Sequence, residues 1–151
     1  MVRVFNYDIV FAEITNEVTL ALSITGCPNR CPGCHSPHLQ QNIGEDLTEE
    51  VLDSLMSRYG TSITCLCFMG GDGCPHGINQ LAGHVKSRYK VKVAWYSGNP
   101  QVHNSVDIDN FDYIKLGPYI QSLGPVSCKD SNQKLYQVVN GELKELTSIK
   151  K

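Results

Sequence analysis

A chain of 151 residues has the length of one ordinary domain, 1–151, and can bury a core without staples. With 41% hydrophobic residues, 19% charged residues and a formal net charge of -2, its balance is globular, and it lacks the basic field that nucleic-acid binding draws on. No run approaches membrane-spanning length, and the opening MVRVFNYDIVFAEI has neither a continuous apolar stretch nor a small-residue cleavage site, so a cytoplasmic protein with no membrane or nucleic-acid partner is expected.

In chain order, the segment before Val18 offers a hairpin through Thr15 to Glu17, and VTLALSI, Val18 to Ile24, reads as a buried strand. It delivers the chain into CPNRCPGCH. Asp46 or Thr48 then caps a helix with Glu49 and Glu50 in its first turn, and Val51, Leu52, Leu55, Met56 and Tyr59 share one face. Gly60 closes it. SITCLCFM, Ser62 to Met69, is a second buried strand that runs into Gly70-Gly71-Asp72.

Ile78, Leu81, Ala82, Val85 and Tyr89 form a second helical stripe, followed by a strand from Val91 to Tyr96 that ends at Ser97-Gly98. A fourth strand, Tyr113 to Leu116, ends at Gly117-Pro118. Finally LYQVV and ELKEL flank Asn140-Gly141, a two-residue hairpin signal. Strands alternating with helices predict a parallel sheet, with glycine-rich loops opening together at its carboxyl edge. There is no internal repeat.

Seven cysteines without a secretion signal suggest reduced thiols that serve as ligands or redox groups. Only Cys27, Cys31 and Cys34 have ligand spacing. Three thiolates in a compact Gly/Pro loop suit either zinc, with His35 or His38 as fourth ligand, or an iron-sulfur cluster with one iron left open. The spacing alone leaves both alternatives standing; the position past a buried parallel strand favours the cluster. Cys65 and Cys67 alternate onto one face of their strand and read as small buried hydrophobes, although a second metal site including Cys74 is the alternative. Cys128 has no assignable partner.

The C-x3-C-x2-C loop after the first strand and the Gly-Gly-acidic turn after the second resemble the radical S-adenosylmethionine superfamily. DYIKLGPYIQSLGP, Asp112 to Pro125, and NQKLY, Asn132 to Tyr136, are similar to the C-terminal part of the anaerobic ribonucleotide reductase activating proteins. The likeness runs from about Thr19 to Val139. It implies an α/β, TIM-like βα barrel of the radical SAM type with a C-terminal β-hairpin, and the barrel is expected to be incomplete because about four or five strands fit this length. It further implies a 4Fe-4S cluster on Cys27, Cys31 and Cys34, whose open iron binds S-adenosyl-L-methionine.

By the same resemblance, Gly70, Gly71 and Asp72 receive the cofactor's methionine end, Lys115 its carboxylate and Ser97 its ribose. The superfamily more often carries glutamate where Asp72 stands, and Gly33 replaces a bulky residue beside the adenine, with His35 a candidate neighbour. Asn132, Gln133 and Tyr136 either dock a partner or fasten the final hairpin. The implied activity is generation of a glycyl radical on the anaerobic ribonucleoside-triphosphate reductase, with a flavodoxin-like electron donor. Activation of another glycyl-radical enzyme and a zinc-stapled binding module are the rival readings.

Overall fold

A computed structural model describes residues 2–10, 17–25, 45–99, 101–117 and 134–146. Among the described residues, eight strands form one mixed sheet: β1 (Arg3–Val10), β2 (Thr19–Ile24), β3 (Glu45–Asp46), β4 (Cys65–Met69), β5 (Lys92–Tyr96), β6 (Tyr113–Leu116), β7 (Lys134–Val139) and β8 (Glu142–Glu145). Their spatial order is β3-β1-β2-β4-β5-β6-β7-β8. The central β2, β4, β5 and β6 run parallel. Antiparallel strands flank them on both sides.

The parallel strands are apolar along nearly their whole length because both of their faces are covered. One face carries Leu20, Leu22, Ile24, Leu66, Phe68, Val93, Trp95 and Ile114, packed with residues from two helices, α1 (Glu49–Tyr59) and α2 (Pro75–Arg88). Trp95 is fully buried and stacks on Phe111 with ring centroids 5.7 Å apart. The opposite face is built of smaller and more polar side chains: Cys65, Cys67, Ala94, Tyr96, Tyr113 and Leu135 form its cluster, and Thr19 and Ala21 are buried on β2.

Of the two predicted caps for α1, Thr48 is the one used: its hydroxyl accepts from the Val51 amide at 3.2 Å. Asp46 lies instead in β3, a two-residue strand absent from the sequence reading, where it pairs with Arg3 at 3.2 Å. Pro75 opens α2, where its missing amide costs no helical bond. Tyr89, assigned by periodicity to the α2 stripe, lies just past the helix in an extended conformation. From there its hydroxyl donates to Asp53 at 2.5 Å, and His84 reaches the same carboxylate at 2.9 Å, tying α2 to α1.

The strand predicted over Ser62 to Met69 starts only at Cys65. Thr64 just before it still bonds to both neighbours, its amide donating to the Val18 carbonyl at 2.8 Å and its carbonyl accepting from the Lys92 amide at 2.9 Å, while its hydroxyl accepts from the Val18 amide at 2.9 Å. The C-terminal hairpin forms as expected, with Asn140 at φ 53 and Gly141 at φ 78, the pair of left-handed residues that a tight hairpin needs. β1 and β2 pair antiparallel; the predicted turn between them extends into residues outside the described set. Among the described residues, no helix is long and apolar enough to cross a membrane.

Candidate functional site

Because β2, β4, β5 and β6 are parallel, their carboxyl ends lie along one edge. β2 ends there at Ile24, and the amide of Thr25 donates to the Arg3 carbonyl at 3.0 Å, anchoring the exit of the strand to β1. The chain then enters 26–44. Cys27, Cys31 and Cys34, with His35 and His38, lie outside the described residues, as do Cys128, Asn132 and Gln133.

β4 ends in the Gly70-Gly71-Asp72 turn. Both glycines have positive φ, +110 for Gly70 and +93 for Gly71. A Cβ on Gly70 would stand 2.9 Å from the Ile24 carbonyl oxygen, and one on Gly71 2.6 Å from the end of the Ile78 side chain. The glycines are therefore required by the fold itself, since the turn is pressed between β2 and α2. The Gly70 amide donates to the Tyr96 carbonyl at 2.9 Å, and the Trp95 indole donates to the Gly70 carbonyl at 2.7 Å.

Gly70→Ala is accordingly expected to cost about 2 kcal/mol from left-handed strain and backbone crowding. That corresponds to a thermal midpoint lowered by roughly 6 °C. Gly71→Ala should cost less, because Ile78 can change rotamer whereas a carbonyl cannot. Equal midpoints for Gly70→Ala and the parent protein, in a calorimetric scan, would contradict this account.

Asp72 is buried, and its carboxylate is used across the edge by the loop after β5. Oδ1 accepts from the Ser97 hydroxyl at 2.6 Å and Oδ2 from the Gly98 amide at 2.7 Å. Asn99, a residue the sequence reading passed over, adds its side-chain amide at 3.4 Å. Ser97 is only 1% exposed, so its hydroxyl faces protein. Lys115 on β6 is also buried, at 9% exposure, with its ammonium 5.2 Å from the centroid of the Tyr96 ring. A cation at this distance from an aromatic face is attracted by the ring. The structure thus brings Gly70, Gly71, Asp72, Ser97 and Lys115 together at one edge.

At the opposite, amino edge lies a second polar cluster that sequence reasoning missed. The Glu17 carboxylate accepts from the Thr64 hydroxyl at 2.6 Å, from the Lys92 ammonium at 2.8 Å and from the Tyr113 hydroxyl at 3.0 Å. Each participant stands at or just before the start of a parallel strand. Their one sequence signal is a polar residue at each strand start; only the register of the sheet joins them.

Burial, reinforced by the Glu17 charge, pushes the Cys65 thiol up to about 12. A thiol held neutral this way is a packing group and a poor metal ligand. Among the described residues, no group of three His, Cys, Asp or Glu side chains could hold a metal ion. The second-metal alternative for Cys65, Cys67 and Cys74 therefore has no support among these residues, and the reading of Cys65 and Cys67 as small hydrophobes fits their complete burial.

The family model described as "4Fe-4S single cluster domain" matches residues 17–141, most of the chain, so the protein belongs to that family. Neither the curated proteins nor the solved structures yield a match. Membership means a 4Fe-4S cluster, and in the sequence Cys27, Cys31 and Cys34 are the cysteines whose spacing suits soft-thiolate ligation of one.

Proposed function

We propose that this iron-sulfur protein is a radical S-adenosylmethionine enzyme that activates the anaerobic ribonucleoside-triphosphate reductase, and that its sheet is the core of an incomplete βα barrel. The observation that carries the reading is the shared carboxyl edge. The strand that leads to the cysteine loop, the Gly-Gly-Asp turn, Ser97 and a buried lysine all meet there.

In this reading Cys27, Cys31 and Cys34 would hold the cluster, which, reduced by a flavodoxin-like donor, would supply the single electron for reductive cleavage of S-adenosylmethionine and with it the hydrogen-abstracting chemistry that glycyl-radical formation on the partner needs. Lys115 offers its ammonium to the cofactor's carboxylate, a charge-assisted pairing. Gly70 and Gly71 keep side chains off the turn, so that the amino-acid end of the cofactor can come close to it. Ser97 and Asp72 hold the loop after β5. Tyr96 keeps the lysine oriented and dry, which strengthens its charge interaction.

The test is electron paramagnetic resonance after anaerobic mixing of the reduced protein, S-adenosylmethionine and the candidate reductase. A doublet arising on the partner is expected. A signal only on a different glycyl-radical enzyme would transfer the activity to that partner, whereas one zinc, no sulfide and no brown colour in the purified protein would make it a zinc-stapled module.

A further inference from the structure

The bonds between Asp72 and the segment 97–99 form part of a longer chain of contacts. The Ser97 hydroxyl, which donates to Asp72, also accepts from the Asn99 amide at 3.1 Å. On its other side the segment is bound to β6: the Ser97 amide donates to the Lys115 carbonyl at 2.9 Å, and the Gly117 amide donates to the Asn99 carbonyl at 2.7 Å. Three residues therefore stand between a buried carboxylate on the β4 turn and the backbone on either side of Leu116.

A carboxylate taken out of water must be satisfied by fixed donors. Here the donors are supplied by Ser97, Gly98 and Asn99, so the place of that segment follows the carboxylate. Since the same segment seats the end of β6, the position of Lys115 follows as well.

We propose that Asp72 and Ser97 are positioning residues: through the Ser97 hydroxyl and the Gly98 amide, Asp72 sets where β6 presents Lys115. This inference rests on the S-adenosylmethionine reading of the site. It changes the role of Asp72 there, from direct partner of the cofactor's ammonium to support of the group that meets the carboxylate.

Two probes separate these roles: S-adenosylmethionine, and the analogue in which hydrogen replaces the α-amino group while the carboxylate is kept. Each is titrated into anaerobically reconstituted parent protein, Asp72→Asn, Ser97→Ala and Ser97→Thr. Positioning is expected to weaken both probes by the same factor, about tenfold, in Asp72→Asn and in Ser97→Ala. Ser97→Thr keeps the hydroxyl and should bind like the parent. If Asp72→Asn loses affinity for the amine-bearing probe alone, Asp72 is a direct ligand and the proposal fails. It fails equally if Ser97→Ala binds both probes normally.

Amide hydrogen exchange provides a readout that needs no cofactor. In Asp72→Asn, or in Ser97→Ala if the former does not fold, exchange should quicken at Gly98 and Gly117 together. Faster exchange at Gly98 with Gly117 unchanged would show that the carboxylate does not reach β6. Parent protein that binds neither probe would refute the S-adenosylmethionine reading, while the exchange result would still decide the coupling.

Discussion

Alanine in place of Cys27, Cys31 or Cys34 is expected to lower bound iron from about four per chain to near zero and to abolish turnover. On the proposed three-cysteine assignment each substitution leaves two thiolates, too few to retain the cluster. Cys65→Ala provides the contrast. Its thiol is fully buried and pushed up to about 12 by burial and by Glu17, so it supplies packing and no thiolate. That variant should keep its iron and lose only about 1 kcal/mol of stability for the buried sulfur. Iron and sulfide analysis of the four reconstituted variants checks both halves. Full iron in any of the first three, or iron loss in Cys65→Ala, would overturn the assignment.

The second large effect belongs to the amino edge. Glu17→Ala removes the acceptor shared by Thr64, Lys92 and Tyr113. The Tyr113 hydroxyl is buried and loses its bond, whereas Lys92 is half exposed and can rehydrate. The expected cost is about 2–3 kcal/mol, the range for deserting buried partners of a charged group.

Burial alone would raise the Glu17 pKa, but the bonds from Lys92, Thr64 and Tyr113 outweigh it and hold the carboxyl below its ordinary value. A carboxyl lowered on folding contributes stability above its unfolded pKa, near ~4.3. That contribution falls away as pH drops through the lower folded value. Lys92 is shifted upward, chiefly by its bond to Glu17, so its share is present below about 10.4 and declines as pH rises through the folded value. The difference in denaturation midpoint between parent and Glu17→Ala should therefore be greatest near neutrality and shrink in acid. A difference that stays constant from pH 7 to pH 3 would mean that Glu17 acts by packing alone.

Much of the central fold is legible in the residues because its signals are local. Thr48 followed by two glutamates and a regular apolar stripe specifies α1, and Asn140-Gly141 between two short β-rich runs specifies the last hairpin. The four parallel strands are continuous apolar runs, a pattern that follows from burial on both faces. Local signals misplace Tyr89, whose spacing matches the helix but whose hydroxyl is drawn to Asp53 on the neighbouring helix. They miss β3, which has two residues and exists only because β1 offers it an edge.

The sequence by itself determined the donor chemistry: three closely spaced thiols, the glycine turns after the strands, and a lysine within an apolar strand. These are properties of residue type and spacing, and they hold whatever the chain packs against. Tertiary structure alone decided what the polar side chains do. Asp72 meets Ser97 across 25 positions and Glu17 meets Tyr113 across 96, contacts that depend on strand order and register. It also decided that Gly70 must be glycine for the sake of the Ile24 carbonyl. Parallel pairing brings together residues far apart in the chain, and no periodicity within one segment carries that information.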